Sequence, residues 1–173
     1  LIAAAVVFFG VLPGLVEKGQ NPVVAHAPYP ISPEAQALHD GLLIGDLHAD
    51  SLMWNRDLLK RGTRGQVDFP RLREGNVAFQ VLTTVTKSPA GQNYDRNASD
   101  ARDNITLLAM AELWPVKSWF DLTERGLYMA GRLEHYARKA PDQVHRILTR
   151  DDLEAVLEAR AGGSKVTGVI LGS

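Results

Sequence analysis

The side chains best suited to chemistry cluster in one short segment, Ile44-Gly-Asp-Leu-His-Ala-Asp50. In an extended strand alternate residues share a face, so Asp46, His48 and Asp50 project together if the extended conformation persists. An imidazole and a carboxylate two residues apart reach one divalent cation, and His/Asp/water ligation suits zinc. The chain has no cysteine. Thiolate zinc sites, iron–sulfur clusters, disulfides and cysteine nucleophiles are therefore excluded, and any metal must be held by His, Asp or Glu. The same residues also have a purely structural reading. Asp46 and Asp50 are good cap or turn residues, Asp50 can N-cap a helix starting at Ser51, and His48 can make an ordinary structural hydrogen bond. Asp46-Leu-His48 also matches the D-x-H that opens the calcineurin-like metallophosphoesterases, but the later G-D-x-x-D and G-N-H-[DE] runs do not occur in the sequence.

These residues need a scaffold. Gly41 to His48 is a short apolar run that predicts a buried strand, with His48 and Asp50 at its C-terminal end. In parallel α/β folds that end of a strand is where active sites form. Ser51 to Lys60 is predicted helical, and Val67 to Glu74 is a short turn or helix closed by Gly75. Val77 to Val85 is rich in β-branched residues and predicts a second strand. Ser99 or Asp100 can cap a helical region with Leu107, Leu108, Ala111 and Trp114 on one face, broken at Pro115. A further helix runs to about Lys139. Val144–Leu148 predicts a third strand, Thr149-Arg-Asp-Asp152 opens a helix that Gly162-Gly163 ends, and Val166–Leu171 predicts a fourth strand. This alternation predicts a parallel sheet covered by helices. Trp114, Trp119 and Phe120 are expected in the core or between helices, with an oligomer interface as their alternative role.

The N-terminus differs in character. Leu1 to Val16 holds 13 apolar residues, two Gly, one Pro and no charge. As a helix it spans about 24 Å at ~1.5 Å per residue, short of the ~30 Å hydrocarbon core. It reads as a membrane anchor or signal segment over residues 1–18, with missing upstream residues to complete it. Residues 19–32, with Pro22, Pro28 and Pro30, read as an extended linker. Ser32-Pro33-Glu34 then supplies an N-cap, N1 and N2 for a short helix to about His39. The 173 residues carry a formal net charge of −1, which gives no electrostatic case for nucleic acid. The apolar starts and stops at both ends lead us to expect a piece of a longer protein.

GDLHAD at 45–50, followed by VDFPRLREGNVAFQVLT at 67–83, resembles the membrane (renal-type) dipeptidase family of zinc peptidases. Its members carry D-x-H-x-D at the first barrel strand and V-D-x-P-R-L-[RK]-x-G-x-V entering the second. The likeness extends over about residues 30–173. It implies an α/β fold, a (β/α)8 TIM barrel of the metal-dependent hydrolase type. Residues 33–173 would form its N-terminal half, with strands one to four at about 42–48, 77–84, 144–148 and 166–172. It implies two zinc ions, with His48 and Asp50 as ligands of the first metal. The bridging Glu, the His ligands of the second metal, the substrate-binding Arg and the catalytic Asp are expected beyond Ser173. Asp46 would orient a ligand or hydrogen-bond within the barrel. Arg71 and Arg73 could line the site, but a structural role is the simpler expectation.

The activity so implied is zinc-dependent hydrolysis of a dipeptide by a membrane-anchored enzyme facing the periplasm or cell exterior. Its partners would be the dipeptide, the membrane and a second copy of the chain. Two alternatives stay open: a membrane-anchored non-catalytic half-domain, and another amidohydrolase-like barrel acting on a different amide or ester.

Overall fold

The computed structural model describes all residues from Leu1 to Ser173. Its first element, α1, is an apolar helix over Ile2–Gln20, with a π-helical turn at Val7–Val11. There follow α2 (Pro33–Asp40), β1 (Ile44–Ala49), α3 (Phe69–Glu74), β2 (Val77–Thr83) and α4 (Asn104–Ala111). Then come α5 (Leu122–Lys139), β3 (Val144–Arg146), α6 (Arg150–Ala161) and β4 (Thr167–Gly172).

The helix starts have local causes. Ser32 accepts from the Ala35 N–H at 3.2 Å and Pro33 sits inside the first turn of α2, as the sequence predicts. Asp68 caps α3, Asp103 caps α4 and Asp121 caps α5. Thr149 and Asp152 form a reciprocal capping box on α6, which satisfies two otherwise orphaned donors.

The four strands form one parallel sheet in the order β1-β2-β4-β3. A mixed α/β architecture with a parallel sheet is thus as expected. The arrangement within it is not. The chain-order assignment of strands one to four predicts 144–148 between β2 and β4, whereas β2 pairs directly with β4 from Phe79↔Gly168 to Thr83↔Gly172, and β3 pairs only with the outer side of β4.

Along β2, Ala78, Gln80 and Leu82 are buried while the residues between them are partly exposed. From this row Leu82 joins Val144 and Val169 in a core with Leu52, Leu58, Phe69, Trp114, Met129 and Leu133. A parallel sheet typically has both faces covered; here the second face, with Phe79, Val81 and Ile170, is only partly shielded.

Several local expectations are revised. Ser51–Lys60 is not a helix: a single 3-10 turn covers Ser51–Met53, and the Arg132 and Tyr136 side chains donate to the Leu52 and Arg56 carbonyls there instead. The helix expected from Ser99 or Asp100 starts at Asn104, where Asp103 accepts from the Ile105 N–H at 3.0 Å. It stops at Ala111, ahead of Leu113 with φ 56°. Trp114 lies in the core, its ring centroid 5.0 Å from that of Tyr128. Phe120, expected to be packed, is 77% exposed.

Arg125 is the largest buried charge, 1% exposed. It donates to the Ser118 carbonyl at 2.8 Å, the Thr86 carbonyl at 2.7 Å and the Thr106 hydroxyl at 2.8 Å, and it also bonds Trp119 O and the Asp103 carboxylate. With every donor direction used, this guanidinium joins α5, the start of α4 and the loop after β2.

Candidate functional site

β1 ends where the candidate residues lie, and its pairing with β2 slips there. Asp46 stands opposite Gln80, yet Ala49 stands opposite Leu82. Three residues on one strand therefore match two on the other, a bulge of the kind that re-aims side chains. Ala49 joins Leu82 in the core. His48 and Asp50 consequently face the other way, on the side of Thr83. The expectation that Asp46, His48 and Asp50 share one face is revised accordingly. Asp46 uses its carboxylate to accept from the His48 backbone N–H at 3.2 Å, steadying the bulge and not the imidazole.

His48 Nε2 stands 3.2 Å from Asp50 Oδ1, and the side chains are 70% and 47% exposed. Asp50 sits at the cap position of the 3-10 turn, but its carboxylate makes no cap bond. It accepts instead from the Thr83 hydroxyl. The capping role considered from sequence is therefore not used, and the carboxylate is turned toward His48.

This geometry suits a cation. Two ligand atoms on a tetrahedral zinc, with bonds of ~2.0–2.1 Å, stand about 3.3 Å apart. The same separation also serves an ion pair when His48 is protonated. No group of three or more His, Asp and Glu side chains is placed to hold a metal together; this pair could supply only two of the four ligands that a tetrahedral zinc takes. The pair opens into a cavity of about 400 Å³ whose walls include Asp46, Asn21, Trp54, Arg56 and Gln66. A neighbouring cavity of about 590 Å³ shares Asp50, Asn21 and Trp54. Both lie in the size range of small-molecule sites.

Within the cavity wall, Arg56 donates to Val67 O at 2.9 Å and faces Glu17 Oε1 at 2.8 Å. Burial pushes the Arg56 pKa down, and the Glu17 carboxylate opposes that shift. Arg71 is committed elsewhere, donating through Nε to Asp68 Oδ2 at 2.7 Å and through a terminal nitrogen to Arg64 O at 3.2 Å. It braces the 62–68 turn and does not line the cavity, as the simpler expectation holds. His145, on β3, lies 3.9 Å from Asp152, far in sequence and element from the pair.

Sequence reasoning missed Thr83, Glu17, Arg56 and Asn21. Thr83 is visible only as the last residue of a β-branched run, and its role requires that β1 and β2 be neighbours. Glu17 reads as the polar end of an apolar segment, and nothing local ties it to Arg56.

The molecule is an α/β protein with a parallel sheet and a His–Asp pair at the C-terminal end of its edge strand. No protein-family model matches the chain, and a search of curated proteins finds no match.

Proposed function

We propose that this chain belongs to a zinc-dependent dipeptidase in which His48 and Asp50 hold one metal ion, with further ligands supplied by residues outside these 173. The observation that carries the reading is the 3.2 Å His48–Asp50 separation at the C-terminal end of a parallel strand. The resemblance of residues 45–50 and 67–83 to the membrane dipeptidases supplies the substrate class.

A bound zinc would lower the pKa of its water and polarise the scissile carbonyl. The chain's own residues prepare the site. His48 offers Nε2, and Asp50 offers Oδ1. Thr83 donates to that same carboxylate, fixing its rotamer as an outer partner of a ligand does. Asp46 holds the bulge that presents both side chains on one face. Trp54 and residues 65–67 form the facing walls of the cavity into which the pair opens. We further propose that α1 anchors the protein in a membrane with this domain on the outer side.

The test uses the complete polypeptide. Hydrolysis of simple dipeptides is expected, lost on chelation and restored by zinc, and reduced to background by His48→Ala or Asp50→Ala. Turnover of cyclic amides or phosphoesters in place of dipeptides would move the protein to another metal-dependent hydrolase class.

The alternative reading is a membrane-anchored domain without catalysis. It predicts no turnover of any amide by the complete polypeptide, and no metal retained after dialysis.

A further inference from the structure

The sequence suggests an anchor, a loose linker and a separate domain. The structure joins the first of these to the last directly. Glu17, near the end of α1, is 3% exposed and lies between two guanidiniums, Arg56 at 2.8 Å and Arg64 at 2.9 Å. Arg64 also donates to the Gly14 carbonyl at 3.3 Å, and a Cβ on Gly14 would lie 3.0 Å from the same guanidinium. One turn later, the Gly65 N–H donates to Asn21 O at 3.2 Å and Gln66 to Pro22 O at 3.0 Å. Gly65 has φ +64°, and a Cβ there would approach Arg56 to 2.8 Å. Ion pairs, backbone bonds and two close glycine approaches thus fasten one end of α1 to the 56–66 segment, which is also a wall of the His48–Asp50 cavity.

The rest of α1 makes no ion pair with the domain; one side of it, including the Val7–Val11 turn, lies along α4, and the other side is open. Ile2, Val6, Val7, Val11 and Leu15 are exposed, and only 6% of its apolar window is buried. A carboxylate held by two arginines, with Lys18 beside it, closes this apolar run. Cationic side chains at the end of an apolar helix suit the headgroup level of a bilayer and favour anionic lipid.

We propose that Glu17 clamps the membrane helix to Arg56 and Arg64, so that the His48–Asp50 cavity is carried against the surface of an anionic bilayer and not at the end of a free tether. Residues 22–31 are then a return strap between two fixed points. The proposal rests on the anchor reading of α1, and the experiment separates the two.

The chain has no cysteine, so single cysteines can be spin-labelled cleanly at Val11, at exposed Thr63 beside Arg64, and at exposed Glu158 on α6. The full chain is reconstituted into phosphatidylcholine–phosphatidylglycerol vesicles. Accessibility to oxygen and to a water-soluble nickel chelate then reads depth. The expected result is Val11 in the hydrocarbon, Thr63 at headgroup depth and Glu158 in water. Glu17→Ala and Arg64→Gln should each move only Thr63 into water, with the circular dichroism melt confirming a folded domain. If Thr63 of the unmodified sequence reads as water while Val11 reads as lipid, the clamp is wrong and the anchor stands. If Val11 reads as water, the anchor reading fails and the clamp proposal falls with it.

Discussion

The Thr83 hydroxyl, at the end of β2, donates to the carboxylate of Asp50, just past the end of β1. Neighbouring strands therefore share the task of aiming one side chain. Asp50 Oδ1 faces His48 while the same oxygen takes the Thr83 bond, because its cap position goes unused and its rotamer is held from the next strand.

That relationship gives the first prediction. In the complete protein, Thr83→Val keeps the shape of the side chain and removes the donor. Metal affinity, measured by competition with a chromophoric chelator, should fall about 10- to 100-fold, the usual effect of losing an outer partner of a ligand. Thr83→Ser should retain most of the affinity. An unchanged value for Thr83→Val would detach Asp50 from the metal.

Arg125 is the second target. Arg125→Met removes a buried cation and strands the Asp103 carboxylate, together with three backbone carbonyls that it serves. Breaking a buried pair in this way costs about 3–5 kcal/mol, read as a shift in the urea midpoint. The effect should also depend on pH. Burial alone would raise the Asp103 pKa. Bonds from the Ser88 N–H, Arg125, the Ile105 N–H and Thr106 outweigh it and hold the value at about 2, well below the usual range of an aspartate. A depressed carboxylate stabilises the fold above its unfolded value and loses that contribution as pH falls from about 4 through about 2. Arg125→Met should flatten this acid limb.

Glu112 behaves in the opposite sense. Burial pushes its carboxyl upward, against the bonds from Trp114 Nε1 at 3.0 Å and the Asn55 N–H at 3.1 Å. A raised carboxyl loses stability as pH climbs from its unfolded value through its folded one, and the full cost stands above that. Glu112→Gln keeps an acceptor for one or both donors and removes the charge. Its thermal midpoint at neutral pH should equal or exceed that of the parent, whereas Glu112→Ala, which leaves both donors unpaired, should lower it by the equivalent of about 1–3 kcal/mol.

Gly168 tests the crowding of the sheet. A Cβ there would lie 2.6 Å from Ile147 Cδ1 and 3.1 Å from Phe79 Cδ1. Gly168→Ala should destabilise by about 1–3 kcal/mol through overpacking, and Gly168→Ala with Phe79→Leu should recover part of the loss. Additive losses in the double variant would show that Phe79 does not provide the clash.

The elements legible in the sequence are those with local causes. Ser32-Pro33 and Thr149-Asp152 announce their helices because a cap bond spans only three residues. Val77–Thr83 announces itself through β-branching and alternation. The segment 51–60 misleads because its apolar spacing suits a helix, while its backbone groups are satisfied by Arg132 and Tyr136 from about 80 positions away. At the site, His48 and Asp50 were identifiable by type and spacing. The bulge that separates Asp46 from them was not, because register is a property of two strands. The same holds for Glu17 and Arg56, partners whose link depends on where an apolar helix comes to rest.

The strand order has a temporal meaning. During synthesis β1 and β2 emerge early and can pair with each other, but β3 emerges with nothing beside it. Its only neighbour, β4, is made later and must enter between β2 and β3. Until residues 167–172 leave the ribosome, one side of β2 carries unsatisfied backbone groups, a template for wrong pairing between nascent chains. A ribosome stalled shortly before this segment would therefore hold a chain that has most of its helices and only half of its sheet.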